Sequence, residues 1–135
     1  MNIFQRVREL SLPLDQYVVF GSGPLAAHGI RPTQDVDLFV TTTLYEQLKL
    51  AGWDEKELAE PPGGLGLVHG IYEANDSWHY SEYDPTPEEV IAACDIIYGV
   101  PFAPLAEVLK WKRAFGRPKD LVDIELIEQH LKALL

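Results

Sequence analysis

The stretch from Val18 to Val40 constrains the fold more than any other part of this 135-residue chain. It runs from an apolar segment into Gly21-Ser22-Gly23, continues through a short helical pattern that Gly29 ends, and closes on a segment that begins Asp35-Val36-Asp37. This order predicts a buried strand, a glycine turn, a helix and a second strand. Strands and helices that alternate in this way are typical of domains in which helices cover a sheet.

The remaining apolar patterns predict the rest of the domain. Residues 2–10, 43–51 and about 88–94 have helical patterns, and two more helices follow Pro104 and Pro118, with Gly116 between them. Residues 53–58 and 65–75 predict two strands, which Pro61-Pro62-Gly63-Gly64 separates, and residues 95–102 predict a strand or hairpin. The sequence therefore predicts one α+β domain over residues 1–135, a small mixed sheet flanked by helices.

Cysteine content and hydropathy exclude several classes of protein. Cys94 is the single cysteine, which excludes an internal disulfide framework and a zinc site built from cysteines. No apolar run approaches the roughly 18 residues of a spanning helix, and the N-terminus lacks the apolar core of a signal peptide. We therefore expect a cytoplasmic protein without membrane association.

Charge is unevenly distributed along the chain, which has 11 basic and 21 acidic residues. From Glu57 through Glu107 there are ten acidic residues and no Lys or Arg, whereas five bases lie between Lys110 and Lys119. A broad nucleic-acid-binding face needs more positive charge, so extended nucleic-acid binding is not expected. A phosphorylated ligand would have to be bound locally, by backbone amides, a few bases or metal ions.

The glycine turn and the aspartate pair point to phosphate chemistry. Gly21 and Gly23 would let a ligand approach the backbone, the next helix would aim N–H groups at it, and Ser22 adds a hydroxyl. Asp35 and Asp37 are two apart on a strand, so both carboxylates leave the same face. Such a pair needs a cation between its members, usually Mg²⁺. A phosphate cradle facing a metal platform predicts two-metal phosphoryl or nucleotidyl transfer.

Two other interpretations account for parts of this stretch. The turn could be an ordinary strand-to-helix connection and the aspartates an exposed strand face, although their occurrence together on adjacent elements favours a site. Residues 21–26 also match the G-x-G-x-x-A fingerprint of dinucleotide-binding folds. That fold places its acidic residue after the second strand, whereas here the acids precede Leu38-Phe39-Val40, and no further βαβ repeat follows. We therefore reject the dinucleotide interpretation.

The same residues resemble the signature of the polymerase-beta-like nucleotidyltransferase superfamily, an apolar strand followed by Gly-Ser and, after a spacer, Asp-x-Asp. Gly21-Ser22, the twelve residues 23–34 and Asp35-Val36-Asp37 match it without gaps. Residues 110–124 also resemble the K-R-x-x-G-R-P-K-D tail of small, stand-alone prokaryotic members, which are related to abortive-infection and toxin–antitoxin nucleotidyltransferases. The resemblance spans the domain and implies a minimal nucleotidyltransferase fold.

That resemblance implies transfer of a nucleoside monophosphate from a nucleoside triphosphate, with ATP as the expected donor, to the hydroxyl of an acceptor. Gly21, Ser22 and Gly23 would bind the triphosphate, and Asp35 and Asp37 would bind Mg²⁺. A third carboxylate, from a later strand, should complete the metal site and help to deprotonate the acceptor. Glu73 is the first choice for it, since the small or apolar Tyr72 and Ala74 flank it.

Two alternatives to Glu73 remain open on that segment. Asp76 is the second choice, and it would lie on the opposite strand face unless a bulge intervenes. Asn75 could occupy the position instead, which would weaken metal binding and make catalysis doubtful. The alternative is a protein of a different class, a catalytically degenerate or antitoxin-like module. Such a module would bind a partner protein, such as a helical toxin, with or without nucleotide. The acidic middle of the chain would suit a basic partner.

The basic segment near the C-terminus has two interpretations as well. Lys112 and Lys119 could lie near the triphosphate and supply charge that the rest of the chain lacks. Helix capping explains the same residues, because bases suit the end of one helix and acids the start of the next.

Overall fold

The computed structural model describes residues 1–58, 64–77 and 82–135. Within these ranges the helices are α1 (Ile3–Glu9), α2 (Gly23–Ala27), α3 (Thr42–Leu50), α4 (Pro87–Ala92), α5 (Leu105–Phe115) and α6 (Pro118–Ala133). The strands are β1 (Tyr17–Phe20), β2 (Val36–Val40), β3 (Asp54–Glu57), β4 (Leu65–His69), β5 (Tyr72–Asn75), β6 (Asp95–Ile97) and β7 (Val100–Phe102). The predicted α+β architecture, a mixed sheet with flanking helices, is confirmed.

The described strands form one sheet in the order β3-β4-β5-β2-β1-β7-β6. β2 runs parallel to β5 and β1 parallel to β7, while the other neighbouring pairs are antiparallel. The end of β1 lies beside the start of β2, where Phe20 pairs with Asp37. The turn after β1 and the acids that open β2 therefore meet at one end of the sheet.

Alternation along β2 divides the core between the two sheet faces. Val36, Leu38 and Val40 pack with residues of α1 and α3 in one apolar cluster. Phe39 packs in a second cluster, with residues of α5 and α6. Asp37 shares the second face by the strand's period of two, as the sequence predicts. The carboxylate therefore points to the side of the sheet that α5 and α6 cover.

Tight turns divide two segments, of which the sequence predicts the first, residues 65–75, as one strand and the second, residues 95–102, as a strand or hairpin. Residues 65–75 form the hairpin of β4 and β5, which turns at Gly70 with a φ of 60°. Residues 95–102 form a second hairpin, with φ values of 48° at Tyr98 and 78° at Gly99. Of the predicted breaker, residues 61–63 lie outside the described ranges. Among the described helices, none is long and apolar enough to span a bilayer.

Proline and glycine bound the two C-terminal helices as predicted. Pro104 precedes α5, and Gly116 ends it in the left-handed conformation, with a φ of 60°. Pro118 opens α6, and the side chain of Asp120 accepts a hydrogen bond of 3.2 Å from the backbone N–H of Arg117. This cap fixes the start of α6 beside the end of α5, so the basic segment folds into a corner that faces the sheet.

Candidate functional site

A cleft of about 850 Å³ opens at the end of the sheet where β1 stops and β2 and β5 begin. Its lining comes from the turn after β1, from the starts of β2 and β5 and from the corner between α5 and α6. The predicted site residues on its walls are Gly21, Ser22, Asp35, Asp37, Glu73, Lys112 and Lys119. The structure thus brings together residues from both ends of the chain.

The carboxylates belong to two neighbouring strands. β2 and β5 are parallel and in register, with Asp37 opposite Glu73, so the negative charge of Glu73 acts on the Asp37 carboxyl. Asp35 is exposed at the start of β2, while Asp37 and Glu73 are partly buried. Because paired residues of adjacent strands share a sheet face, the three side chains line the same part of the cleft.

Burial and neighbouring charges shift the titration of Asp37. Burial, followed by the negative charges of Glu73 and Asp35, raises the pKa of this carboxyl to about 7, and Lys112 only partly opposes the rise. The same repulsion marks the place as one where a cation would be stabilised.

This pKa predicts a stability effect of Asp37→Asn that depends on pH. The folded-state pKa of about 7 lies above the ordinary value of 3.8, so the carboxyl lowers stability progressively as pH rises through this window. We expect Asp37→Asn to raise the free energy of unfolding by about 4 kcal/mol at pH 8, since the pKa shift is about three units at roughly 1.4 kcal/mol each, and by less than about 1 kcal/mol at pH 4. Urea unfolding at the two pH values measures the difference. Asp54→Asn, on the exposed strand β3, should have little effect at either pH.

The structure separates the three candidates for the third carboxylate position. Glu73 lies on the cleft wall. Asp76 accepts a hydrogen bond of 3.2 Å from the Thr42 hydroxyl, at the start of α3 on the other side of the sheet. Asn75 is buried next to Gly66, and it does not line the cleft. Glu73 is therefore the candidate that can act together with Asp37.

Magnesium fits the chemistry of this carboxylate group. Among residues 1–58, 64–77 and 82–135, no set of three or more His, Cys, Asp or Glu side chains is arranged as a complete metal site. Mg²⁺ does not need such a set, because it usually keeps several waters and takes one or two carboxylates together with substrate phosphates. Asp35 and Asp37 can supply one or two carboxylates of this kind, jointly with a phosphorylated ligand, whereas no set of three that includes Glu73 is arranged in the described residues to hold the ion.

The glycines of the turn have different surroundings. Gly21 has a φ of 64°, and a Cβ atom there would collide with the carboxylate of Asp37. Gly21 therefore permits the close approach of the turn to the acidic strand. Gly23 lies behind the turn, where a Cβ atom would collide with Val19, and it does not line the cleft. The structure thus places Gly23 in the packing of α2 against β1, away from the space where a ligand would bind.

The close approach at Gly21 gives a prediction with a matched control. Gly29 also has a positive φ, 70°, but nothing lies within 4 Å of a Cβ atom placed there. We expect Gly29→Ala to cost about 1 kcal/mol and Gly21→Ala about 2–4 kcal/mol, since the latter adds the collision with Asp37. Urea unfolding of the two variants measures these costs. Equal losses would mean that the contact between the turn and Asp37 has no energetic importance.

Lys112 and Lys119 differ strongly in their surroundings. Lys112 is buried, with its ammonium group 2.9 Å from Asp123 and 3.6 Å from Asp120. Lys119 is exposed at the start of α6, on the cleft wall. The positive charge of Lys112 is thus shared with two carboxylates, while Lys119 lies where a ligand could reach it.

Two arginines that the sequence analysis did not single out complete this wall. Arg31 donates to both carboxylate oxygens of Asp123, at 2.7 and 2.8 Å, and Arg117 donates to both oxygens of Asp120, at 2.6 and 3.0 Å. Three cations and two carboxylates therefore form one ion-pair network with an excess of positive charge. The sequence contained one signal that could have identified Arg31 as a candidate site residue: it is the only Lys or Arg between Arg8 and Lys49.

The wall opposite the bases is largely apolar. Leu58, Val68 and Ile71 lie there, on the side of β3, β4 and β5. All three belong to the part of the chain from Glu57 to Glu107 that contains no Lys or Arg. The cleft therefore offers an anionic ligand one favourable side, the corner between α5 and α6.

Comparisons with protein-family models, with curated proteins and with solved structures found no match to this chain. Its function has to be inferred from the residues and geometry of the site.

Proposed function

We propose that the protein transfers a nucleoside monophosphate from a nucleoside triphosphate, ATP being the expected donor, to the hydroxyl of an acceptor. The observation that carries this proposal is the meeting of three features in one cleft. The Gly21-Ser22 turn, the carboxylates of Asp35, Asp37 and Glu73, and a basic wall all line it. Phosphoryl and nucleotidyl transfer need these features, because positioning and charge stabilisation supply most of the catalysis.

The donor would lie between the turn and the basic wall. The Ser22 hydroxyl would contact phosphate oxygens, and so would the backbone of the turn, which a ligand can approach because Gly21 has no side chain. The exposed Lys119 would add positive charge. Asp35 and Asp37 would hold Mg²⁺, which when bound neutralises phosphate charge and aligns the α-phosphate. The length of the cleft, from the corner of α5 and α6 to the hairpin of β4 and β5, leaves room for an acceptor beyond the phosphates.

Glu73 is placed to act on the acceptor. In the proposed reaction the acceptor oxygen forms a bond to the α-phosphorus, while the bond from that phosphorus to the bridging oxygen breaks and pyrophosphate leaves. The hydroxyl proton passes to Glu73, which lies opposite Asp37 on the neighbouring strand. The apolar side chains of Leu58, Val68 and Ile71 would contact the acceptor and exclude water from the reacting groups.

Label transfer tests the proposal directly. ATP labelled at the α-phosphate is incubated with the protein, Mg²⁺ and fractionated small molecules, proteins or RNA, and pyrophosphate release is measured in parallel. We expect label to appear in an acceptor fraction, and ATP labelled at the γ-phosphate to give no labelled acceptor. Labelling by the γ-phosphate alone would indicate a kinase and contradict the proposal.

Binding measurements separate the proposed enzyme from an interaction module. Calorimetric titration with Mg²⁺ and ATP should show binding that EDTA abolishes. Binding without pyrophosphate release, for every acceptor fraction tried, would favour a nucleotide-binding module that acts on a partner protein. Absence of binding for all four common nucleoside triphosphates would contradict both functions.

A further inference from the structure

Arg31 joins the glycine turn to the C-terminal helix. Its Nη2 donates to the Ser22 hydroxyl oxygen over 2.7 Å, and its Nε and Nη2 hold the carboxylate of Asp123, 92 residues away in sequence. Nη1 donates to the carbonyl of Pro32 over 3.1 Å. These bonds fix the guanidinium group beside the turn, and its side chain keeps 34% of its surface exposed in the cleft.

The bond from Arg31 also determines which way Ser22 can donate. A hydroxyl group has one hydrogen to donate and two lone pairs to accept with, and here one lone pair is occupied by Arg31. The Ser22 hydrogen must therefore point away from the guanidinium group. Because the donor to this oxygen is charged, it also polarises the hydroxyl and strengthens the bond that Ser22 can donate in turn.

Arg31 is the charged side chain that the structure brings into contact with Ser22. α2 is a helix of 5 residues, little more than one turn, so its dipole adds little positive potential at the turn. Lys112 is buried and shared between Asp120 and Asp123, while Arg117 and Lys119 line other parts of the cleft wall. The guanidinium group of Arg31, held in place by Asp123 of α6, is therefore the charge that acts directly on the turn.

We propose that Arg31 is the positioning and recognition residue for the polyphosphate tail of the donor, resting on the proposed nucleotidyl transfer. Arg31 orients Ser22 as a hydrogen-bond donor to a phosphate oxygen, and its remaining Nη1 hydrogen and its charge attract the outer phosphates. Asp123 on α6 keeps the guanidinium in place. The site therefore selects a nucleoside triphosphate over a monophosphate through a residue of the loop between α2 and β2.

Calorimetry with three ligands tests this assignment. Arg31→Met and Arg31→Lys are titrated with ATP, AMP and inorganic tripolyphosphate in the presence of Mg²⁺. We expect Arg31→Met to weaken ATP and tripolyphosphate binding by about 10- to 100-fold and AMP binding by less than about 3-fold. Arg31→Lys keeps the charge but cannot bridge Asp123 and Ser22 together, so its loss should be intermediate. The matched control is Arg113→Met, which removes the same charge from an exposed pair with Glu128 and should leave binding unchanged.

A double-mutant cycle with Ser22→Ala tests the coupling. Because Arg31 acts in part through the serine, the loss in the double variant should be smaller than the sum of the two single losses. Thermal melting checks that each variant folds, and it should, since Lys112 still pairs with Asp123 when Arg31 is removed.

The outcomes separate this inference from the proposed function. If wild-type protein binds ATP and Arg31→Met binds it equally well, or loses ATP and AMP affinity to the same extent, Arg31 is only structural and the inference is wrong. In that case nucleotidyl transfer still stands. If the wild-type protein binds neither a nucleoside triphosphate nor tripolyphosphate, both are overturned.

Discussion

Asp37→Asn is expected to lower the rate of pyrophosphate release by about 10³-fold while the protein becomes more stable at pH 8. The amide keeps the shape of the side chain, but it cannot carry the charge that would hold a metal ion and exchange a proton. The stability gain follows from removing a carboxyl whose pKa is raised by burial and by Glu73 and Asp35. Opposite changes in activity and stability are typical of active sites, where like charges are held together at a cost to the fold.

The controls for this prediction use the other acids of β2 and β5. Glu73→Gln should also lose activity strongly, because Glu73 is paired with Asp37 on the cleft face. Asp76→Asn should retain nearly full activity, because Asp76 contacts Thr42 on the other side of the sheet. Steady-state rates under saturating ATP and Mg²⁺ measure all three. Full activity of Asp37→Asn, or a loss in Asp76→Asn as large as that in Glu73→Gln, would contradict this assignment of the site.

Asp123→Ala is expected to destabilise the protein by about 3–5 kcal/mol. Asp123 accepts from Arg31 and from Lys112, and the Asp123 and Lys112 side chains are only 7% and 3% exposed. Burial alone would raise the pKa of Asp123, but the hydrogen bonds from Arg31 and Lys112 outweigh it and hold the pKa below its ordinary value. The carboxylate therefore stabilises the fold above its unfolded-state pKa, and this contribution is lost as pH falls through the folded-state pKa. Its removal leaves the buried ammonium with Asp120 alone, 3.6 Å away.

A second ion pair on the same helix provides the comparison. Glu128 on α6 lies 2.7 Å from Arg113, as close as Asp123 lies to Arg31, but both side chains of that pair are at least half exposed. Glu128→Ala should therefore cost about 0.5 kcal/mol or less, measured by urea unfolding. Lys112→Met in the Asp123→Ala background should recover about 1–2 kcal/mol, because it removes the buried charge that has lost its partner. If Asp123→Ala and Glu128→Ala lowered the free energy of unfolding equally, or if Lys112→Met restored none of it, the ion-pair network would not stabilise the corner between α5 and α6.

These two predictions join stability and function through one group of residues. Asp123 fixes Arg31, Arg31 contacts Ser22, and Ser22 lines the same cleft as the carboxylates. The C-terminal segment shows the helix capping that the sequence analysis considered, and it is compatible with the other interpretation, which stays a prediction. Asp120 caps α6 and pairs with Arg117, while Lys112 and Lys119 belong to the cleft wall. Helix capping and placement next to a ligand are compatible, because the cap itself builds the corner.

The sequence by itself determined the elements and their faces. Glycine and proline positions predicted the ends of α5 and the start of α6, and the period of two placed Asp35 and Asp37 opposite the apolar residues of β2. The same alternation predicted that Asp76 would lie on the face away from the cleft. These features depend on backbone geometry between residues close in sequence, so a local pattern is enough to reveal them.

The tertiary structure alone decided which distant side chains meet. The register of β2 with β5 sets Glu73 opposite Asp37, and the packing of α6 brings Asp123 to Arg31 across 92 residues. No local pattern carries this information, because strand register and helix docking depend on the free energy of the whole packed core. Gly23 is a residue for which the local pattern suggested a role that the tertiary structure does not support. In the sequence it resembles a ligand-binding glycine, but its neighbour in space is Val19, a contact that only the packing of α2 against β1 creates.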